Sequence, residues 1–123
     1  MAVHGLLFVG LIISLVSIAS ADDGFATYYT TYFPSACYGY QDEGDMIAAA
    51  SDAIWDNGGA CGSYYSVTCI GPDYDGPNTC YGSVTVMIVD YCPPGCAGTI
   101  DLSEQAFSAI ADTSTGKIII IYY

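Results

Sequence analysis

The 123-residue chain has almost no positive charge. Lys117 is its only Lys or Arg, against thirteen Asp and Glu residues, and the formal net charge at pH 7 is −12. Proteins hold phosphate groups chiefly with Lys and Arg, so this composition argues against nucleic acid and anionic membrane surfaces as partners. Histidine is equally scarce, since His4 is the only one.

The chain also has only one long apolar run, and it lies at the start. The run extends from Leu6 to Ile18 and ends in the small residues Ala19-Ser20-Ala21, a pattern typical of signal-peptide cleavage. It is too short to span a bilayer, and no second run follows. We predict that residues 1–21 are a signal peptide and that residues 22–123 form one secreted, extracellular domain without membrane insertion.

All six cysteines follow the predicted cleavage site. An even number in a short exported chain predicts three disulfides, although spacing alone leaves the pairing open. Zinc binding by Cys92 and Cys96 is the alternative, and it is disfavoured because His4 lies in the predicted signal peptide and the compartment is oxidising.

Two acidic clusters, Asp42–Asp45 and Asp73–Gly76, raise the question of calcium. Neither has the spacing of an EF-hand loop, so solvated turns are the better interpretation. We therefore predict no metal and no cofactor.

Short β-prone segments separated by turns predict a mainly β fold. Six segments are strand candidates: Phe25–Thr31, Met46–Ala50, Tyr64–Cys69, Ser83–Asp90, Thr99–Leu102 and Lys117–Tyr122. Two short helices are expected, one from Asp52 to Trp55 capped by Ser51 and one from Glu104 to Ala111 capped by Ser103. The pattern favours a small closed barrel, with a sandwich as the alternative.

The segment from Asp90 to Ala106 is the most informative part of the chain. It places Asp90 and Asp101 at the predicted ends of two strands, on either side of a Pro/Gly/Cys turn. In the structural interpretation, Asp90 ends a strand and Asp101 caps the following helix. In the functional interpretation, the two carboxylates belong to a site on a rigid scaffold.

Five motifs follow one another along the chain: Gly24-Phe25-Ala26-Thr27-Tyr28-Tyr29, Ala36-Cys37-Tyr38-Gly39-Tyr40, Met46-Ile47-Ala48-Ala49-Ala50-Ser51, the Cys61–Cys69 segment and the Val89–Ser103 segment. They resemble the motifs of plant natriuretic peptide-like proteins, which are small relatives of expansins and of family-45 endoglucanases, with barwin more distant. The resemblance implies a six-stranded double-psi β-barrel with one or two short helices, located in the plant extracellular space. It also implies the disulfides Cys37–Cys61, Cys69–Cys80 and Cys92–Cys96.

The resemblance also bears on catalysis. Inverting glycosidases use two carboxyl groups roughly 6.5–9.5 Å apart. One of the two endoglucanase aspartates corresponds to Asp101, whereas the other falls near Thr30, where no acid stands. The resemblance therefore implies a protein that is not an enzyme, in which Asp90, Asp101 and Thr27 are vestigial candidates. Lytic cleavage, which needs only the Asp101 carboxyl, is the alternative.

The resemblance implies a non-catalytic signalling protein that acts on water and ion balance through the segment Ser35–Cys69. The candidate binding residues are Tyr38, Tyr40, Asp52 and Asn57 within that segment, together with Tyr28 and Tyr29 as possible sugar-stacking rings. The expected partner is a cell-surface receptor or a cell-wall polysaccharide, and we expect a monomer. The alternatives are a wall-binding, wall-loosening or lytic expansin-like protein, and a barwin-like defence module.

Overall fold

The computed structural model describes residues 20–123. The predicted signal peptide lies almost entirely outside these residues and stays a prediction. The described part contains six strands: β1 (Asp22–Tyr29), β2 (Ile47–Ala50), β3 (Tyr64–Pro72), β4 (Ser83–Tyr91), β5 (Ile100–Ser103) and β6 (Ile118–Tyr122). They close into a barrel in the order β1-β5-β2-β4-β3-β6. The predicted six-stranded barrel is thereby confirmed, and the sandwich alternative is wrong.

Two pairs of strands are parallel, β1 with β5 and β2 with β4, and the other neighbours are antiparallel. β1 begins earlier than the sequence predicted, at Asp22 rather than Phe25, because Asp22 pairs with Tyr122 of β6. No helix within residues 20–123 is both long and apolar enough to cross a membrane.

The barrel interior is filled by β-branched and aliphatic side chains. Ile100 and Leu102 of β5 and Ile118 and Ile120 of β6 have no exposed surface. Because alternate residues of a strand point to opposite faces, the residues between them, such as Asp101, face away from this core. The inner face of each strand therefore provides the hydrophobic stabilisation, and the outer face is available for other chemistry.

Two short helices follow β2 and β5. The helix α1 (Asp52–Trp55) continues into a 3-10 turn (Asp56–Gly58), and α2 spans Glu104–Ile110. The hydroxyl of Ser103 accepts a hydrogen bond of 3.1 Å from the backbone N–H of Ala106, which confirms the predicted cap. Ser51 occupies the predicted N-cap position of α1, but its hydroxyl makes no capping bond. Only the Ser51 carbonyl binds the first turn of α1.

The three disulfides join Cys37 to Cys61, Cys69 to Cys80 and Cys92 to Cys96, and no cysteine of the described residues is free. This is the pairing that the resemblance implied. The third closes a tight turn in the connection between β4 and β5, two strands that are separated by β2 and do not pair with each other. We call this turn the Cys92–Cys96 hairpin. A rigid turn is thus placed beside both Asp90 and Asp101.

Candidate functional site

Four residues on adjacent strands form one row across the barrel surface. Thr27 of β1 is in register with Asp101 of β5, Asp101 with Ala49 of β2, and Ala49 with Asp90 of β4. We call these four residues the carboxylate row. Neighbouring strands lie about 4.8 Å apart, so the Cα atoms of Asp90 and Asp101 are separated by roughly 10 Å. The alanine between the two acids adds only a methyl group to this space.

A β-bulge brings Asp90 into the row. Ala48 pairs with Ile88, but the next residue, Ala49, pairs with Asp90, so Val89 is the extra residue. Without the bulge, Val89 would lie opposite Ala49 and the carboxylate would turn away. Bulges re-aim side chains in this way at many functional sites.

Asp101 is half-buried and held by Thr27. The Thr27 hydroxyl donates a hydrogen bond of 2.9 Å to Oδ1 of Asp101. Burial raises the pKa of the Asp101 carboxyl, the Thr27 bond lowers it in part, and the charge of Asp90 raises it further. The predicted role of Asp101 as a helix cap is wrong, because it lies inside β5 and Ser103 caps α2.

Asp90 is anchored by the backbone. Its Oδ1 accepts hydrogen bonds of 2.9 Å from the N–H groups of Ala36 and Tyr91. The bond from Ala36 ties the loop after β1 to the carboxylate row. Asp90 is the last residue but one of β4, so the strand ends one residue later than the structural interpretation proposed.

Tyr29 contributes the one unsatisfied polar group of the site. Among residues 20–123, its hydroxyl is the only buried side-chain oxygen or nitrogen without a hydrogen-bond partner. Burial raises the pKa of Tyr29 well above its ordinary value of 10, and the charges of Asp90 and Asp101 raise it further. Tyr29 follows Thr27 by two residues on β1, so its side chain lies on the same face of the strand as the carboxylate row, where a ligand could satisfy its hydroxyl.

Gly98 leaves the space that Thr27 needs, and sequence reasoning missed it. A Cβ atom on Gly98 would lie 2.9 Å from Oγ1 of Thr27 and 3.2 Å from its backbone N. Its position just before Thr99-Ile100-Asp101 was the available signal. A glycine there lets the hairpin approach β1 closely enough for Thr27 to reach Asp101.

The other predicted binding residues are not brought to this row. The Tyr28 ring turns to the opposite face and packs 4.9 Å from the ring of buried Phe107. Tyr38 is half-buried, whereas Tyr40 is 80% exposed on the loop after β1. Asp52 and Asn57 lie exposed at the start of α1 and in the 3-10 turn that follows it. The predicted set is therefore spread over several surfaces.

A second cluster was missed by sequence reasoning. The Tyr91 hydroxyl donates a hydrogen bond of 2.6 Å to Oδ1 of Asp52, and this bond raises the pKa of Tyr91. The Tyr91 ring also packs 5.0 Å from the ring of Trp55, which in turn packs against the core. Together these contacts fix α1 against the end of β4.

Within residues 20–123, one group has metal-ligating residue types close together. The ligand atoms of Cys92, Cys96 and Asp101 lie within 4.8 Å of one another. The two sulfurs are joined in a disulfide, however, so neither is the thiolate that zinc requires. The geometry therefore does not favour a metal centre here.

Comparison with known proteins identifies the family. A family model described as "Lytic transglycolase" matches residues 47–122, which include β2 to β6. The chain is 55% identical over 105 residues to an EG45-like domain containing protein of Citrus jambhiri, covering 83% of this chain and 80% of that protein. It is 43% identical over 110 residues to EG45-like domain containing protein 2 of Arabidopsis thaliana, covering 88% and 84%. The chain belongs to the EG45-like, expansin-like family of double-psi β-barrel proteins.

A solved structure of an expansin is also similar. The D78N variant of the Clavibacter michiganensis expansin, crystallised in complex with cellohexaose, superposes on this EG45-like chain with a TM-score of 0.65 and 31% sequence identity. The match covers 85% of this chain and 50% of the expansin. The EG45-like chain thus corresponds to about half of that protein. The resemblance drawn from the motifs and the double-psi fold that it implied are confirmed.

Proposed function

We propose that this EG45-like protein is an extracellular protein that binds neutral β-linked glucans of the plant cell wall without hydrolysing them. The binding surface is the carboxylate row together with Tyr29. The observation that carries the proposal is the unpaired Tyr29 hydroxyl on the same face of β1 as the carboxylate row, in a fold whose expansin relative was crystallised with cellohexaose.

The chemistry of the row suits sugar hydroxyl groups. The carboxylates of Asp90 and Asp101 are strong hydrogen-bond acceptors, and hydrogen bonds to ionised groups are about twice as strong as neutral ones. Tyr29 adds a hydroxyl that can donate or accept, and Ala49 leaves room between the acids. The net charge of −12 repels anionic polymers, so the surface favours neutral glucans over acidic pectins.

Two observations support binding without hydrolysis: the residue opposite Asp101 is not an acid, and the second carboxylate of the row, Asp90, is held by two backbone N–H groups. Thr27 of β1 is in register with Asp101, and its hydroxyl donates a hydrogen bond to the Asp101 carboxyl. No second carboxyl group stands at this position. Thr27 cannot serve as the general base that inverting hydrolysis needs. Lytic cleavage is the alternative chemistry, because Asp101 with its raised pKa could act alone as acid and base.

The test is retention of the purified protein on insoluble cellulose and xyloglucan, measured by depletion from solution. We expect retention to fall about tenfold in Asp101→Ala and in Tyr29→Ala, since each loses a direct contact with the sugar. Asp75→Ala and Tyr81→Ala are matched controls, because both residues are exposed and lie outside the carboxylate row.

Soluble products of cellohexaose, analysed by mass spectrometry, separate binding from cleavage. We expect none above a heat-inactivated control. Two ordinary oligosaccharides, whose masses sum to cellohexaose plus one water, would indicate hydrolysis. One ordinary oligosaccharide with one anhydro fragment lighter by one water would indicate lytic cleavage; either result would contradict the non-catalytic proposal. Absence of retention on every neutral glucan would contradict the binding proposal itself.

The exposure of Tyr40 supports receptor signalling as a second candidate function. Its ring is 80% exposed on a loop that the Cys37–Cys61 disulfide and the bond from Ala36 to Asp90 hold in place. If this loop contacts a receptor, Tyr40→Ala and Asn57→Ala should reduce any effect on protoplast volume while leaving glucan retention unchanged. Asp101→Ala should show the opposite pattern.

A further inference from the structure

A second concave surface lies beside the carboxylate row. It is an open cleft of about 280 Å³ lined by Phe25, by residues 51–53 at the start of α1, by the Cys92–Cys96 hairpin and by Thr99. No residue of the carboxylate row lines it. Oδ2 of Asp101 nevertheless lies 3.9 Å from Sγ of Cys92, so the hairpin is a wall that the row and the cleft share.

The walls of the cleft are held in fixed positions. The disulfide constrains the hairpin, and the bond from Tyr91 to Asp52 fixes α1 against β4. The backbone N–H of Ser51 donates a hydrogen bond of 3.1 Å to the carbonyl of Thr99, which joins the two ends of the cleft. A ligand would therefore meet a site that needs little ordering, which lowers the cost of binding.

The side chains of the cleft offer an aromatic ring and oxygen groups. The Phe25 ring is 38% exposed, and the Lys117 ammonium lies 4.6 Å from the centre of the ring. The Ser51 hydroxyl does not cap α1 and is available to a ligand. Asp52 accepts the Tyr91 bond with one oxygen, Oδ1, so its other oxygen can accept a bond from the ligand.

The charge and size of the cleft restrict what it can hold. None of its lining residues is basic, and the Lys117 ammonium beside the Phe25 ring is paired with Asp73. Asp52 adds a negative charge, so the cleft is unsuited to anions. Its volume is just below the range of roughly 300–1,000 Å³ that drug-sized ligands occupy. An aromatic ring with hydroxyl and carboxylate groups at its edge matches a sugar, which has an apolar face and a rim of hydroxyl groups.

We propose that this cleft binds a single terminal sugar ring of a neutral polysaccharide, either a chain end or a one-sugar branch. The inference rests on the proposed function. If the carboxylate row binds the polysaccharide chain, the Cys92–Cys96 hairpin separates that surface from a cleft that binds the end or a branch of the same polysaccharide. The carboxylate row alone would bind chains regardless of their ends, whereas the cleft adds a preference for exposed terminal sugars.

The test is NMR titration of the purified, isotope-labelled protein. Methyl β-glucoside imitates a chain end, and a xylose-branched xyloglucan heptasaccharide imitates a branched chain. We expect one or both to bind and to shift the amide signals of Ser51, Ala53 and Thr99. The probe with the lower dissociation constant shows whether the cleft prefers chain ends or branches.

The matched variants are Ala53→Gln and Ala109→Gln. Both alanines are exposed on short helices, but only Ala53 lines the cleft. A glutamine at position 53 fills part of the cleft and should weaken the binding of both probes by about tenfold, whereas Ala109→Gln should leave it within about twofold. Retention on cellulose should stay near the wild-type level in both variants.

The outcomes distinguish this inference from the proposed function. If cellulose retains the protein but neither probe shifts the cleft signals, or if Ala53→Gln binds both probes like the wild type, the cleft assignment is wrong. If Asp101→Ala abolishes binding of the probes and Ala53→Gln does not, the sugar lies on the carboxylate row. If the probes bind in the cleft without any retention on cellulose or xyloglucan, the cleft stands and the proposed chain-binding surface fails.

Discussion

The two faces of β5 differ clearly in burial and polarity. On the inner face, Ile100 and Leu102 are completely buried against other apolar side chains. On the outer face, Asp101 lies between them in sequence, half-buried, with its pKa raised by burial and by Asp90. The inner face stabilises the fold by hydrophobic burial. The outer face holds the Asp101 carboxyl where burial disfavours its ionised form.

β1 shows the same division. Ala26 is buried in the core and Tyr28 packs against Phe107, whereas Thr27 binds Asp101 and Tyr29 carries an unpaired hydroxyl. An unpaired buried hydroxyl costs free energy, typically about 1–3 kcal/mol. The outer, polar face therefore lowers the stability of the fold, a departure from local consistency that is common at functional sites.

The largest expected effect concerns the inner face. Leu102→Ala should lower the free energy of unfolding by about 2–5 kcal/mol, because it removes a fully buried side chain and leaves a cavity. Urea denaturation measures this loss. Ile119→Ala is the control, since that side chain is 37% exposed and its loss should cost less than about 1 kcal/mol. Equal losses in the two variants would contradict the proposed difference between the inner and outer faces.

The next effect concerns the contact between the hairpin and β1. Gly98→Ala should lower the free energy of unfolding by about 1–3 kcal/mol, because the new methyl group would press on Thr27. It should also reduce glucan retention, since Thr27 would no longer hold Asp101. Gly71→Ala is the control, because no atom lies within 4 Å of the position of its Cβ. A stable Gly98→Ala variant with full retention would show that this contact is unimportant.

The smallest effect concerns the charge of Asp101. Because its pKa is raised in the folded state, the ionised carboxyl destabilises the fold at neutral pH. Asp101→Asn should therefore raise the stability at pH 7, by less than about 1 kcal/mol because solvent screens the half-buried group. The gain should shrink as the pH falls through the folded-state pKa and disappear below the ordinary carboxyl value, where both states are protonated.

Asp112→Asn should show the opposite sign. Hydrogen bonds from Ser114 lower the pKa of the Asp112 carboxyl, so its ionised form stabilises the fold above the ordinary carboxyl pKa. Thermal unfolding at several pH values measures both variants. A lower stability of Asp101→Asn at pH 7 would contradict the claim that the ionised Asp101 carboxyl destabilises the folded state.

Much of the fold was predictable from local patterns. The β-branched runs at Ser83–Asp90 and Lys117–Tyr122 predicted β4 and β6 to within about one residue at either end. The serine before the Glu104 helix predicted its cap, and the even cysteine count predicted disulfides. The motifs around Asp90 and Asp101 also marked the right part of the chain for a site, because turns and strand ends are visible in the order of residues.

The geometry of the candidate site was not predictable in this way. The Thr27 hydroxyl meets a carboxylate 74 positions away in the chain, and no local pattern specifies that pairing. The bulge at Val89 depends on how β2 and β4 align, and it decides that Asp90 and not Val89 lies opposite Ala49. Tyr28 and Tyr29 are adjacent residues of the same type, and the sequence does not distinguish them. In the closed barrel, Tyr28 packs against the core, whereas Tyr29 lies on the same face of β1 as Thr27.

The family, the strand-rich class, the acidic surface and the residues from which a site could be built are all evident in the amino-acid sequence. These depend on residue type and on local order. Only the folded chain shows that Thr27, Asp101, Ala49 and Asp90 share one row, that Tyr29 lies unpaired on the same face of β1, and that a cleft opens along the Cys92–Cys96 hairpin. The physical reason is that strand register, a bulge and the close approach at Gly98 arise only when distant segments pair.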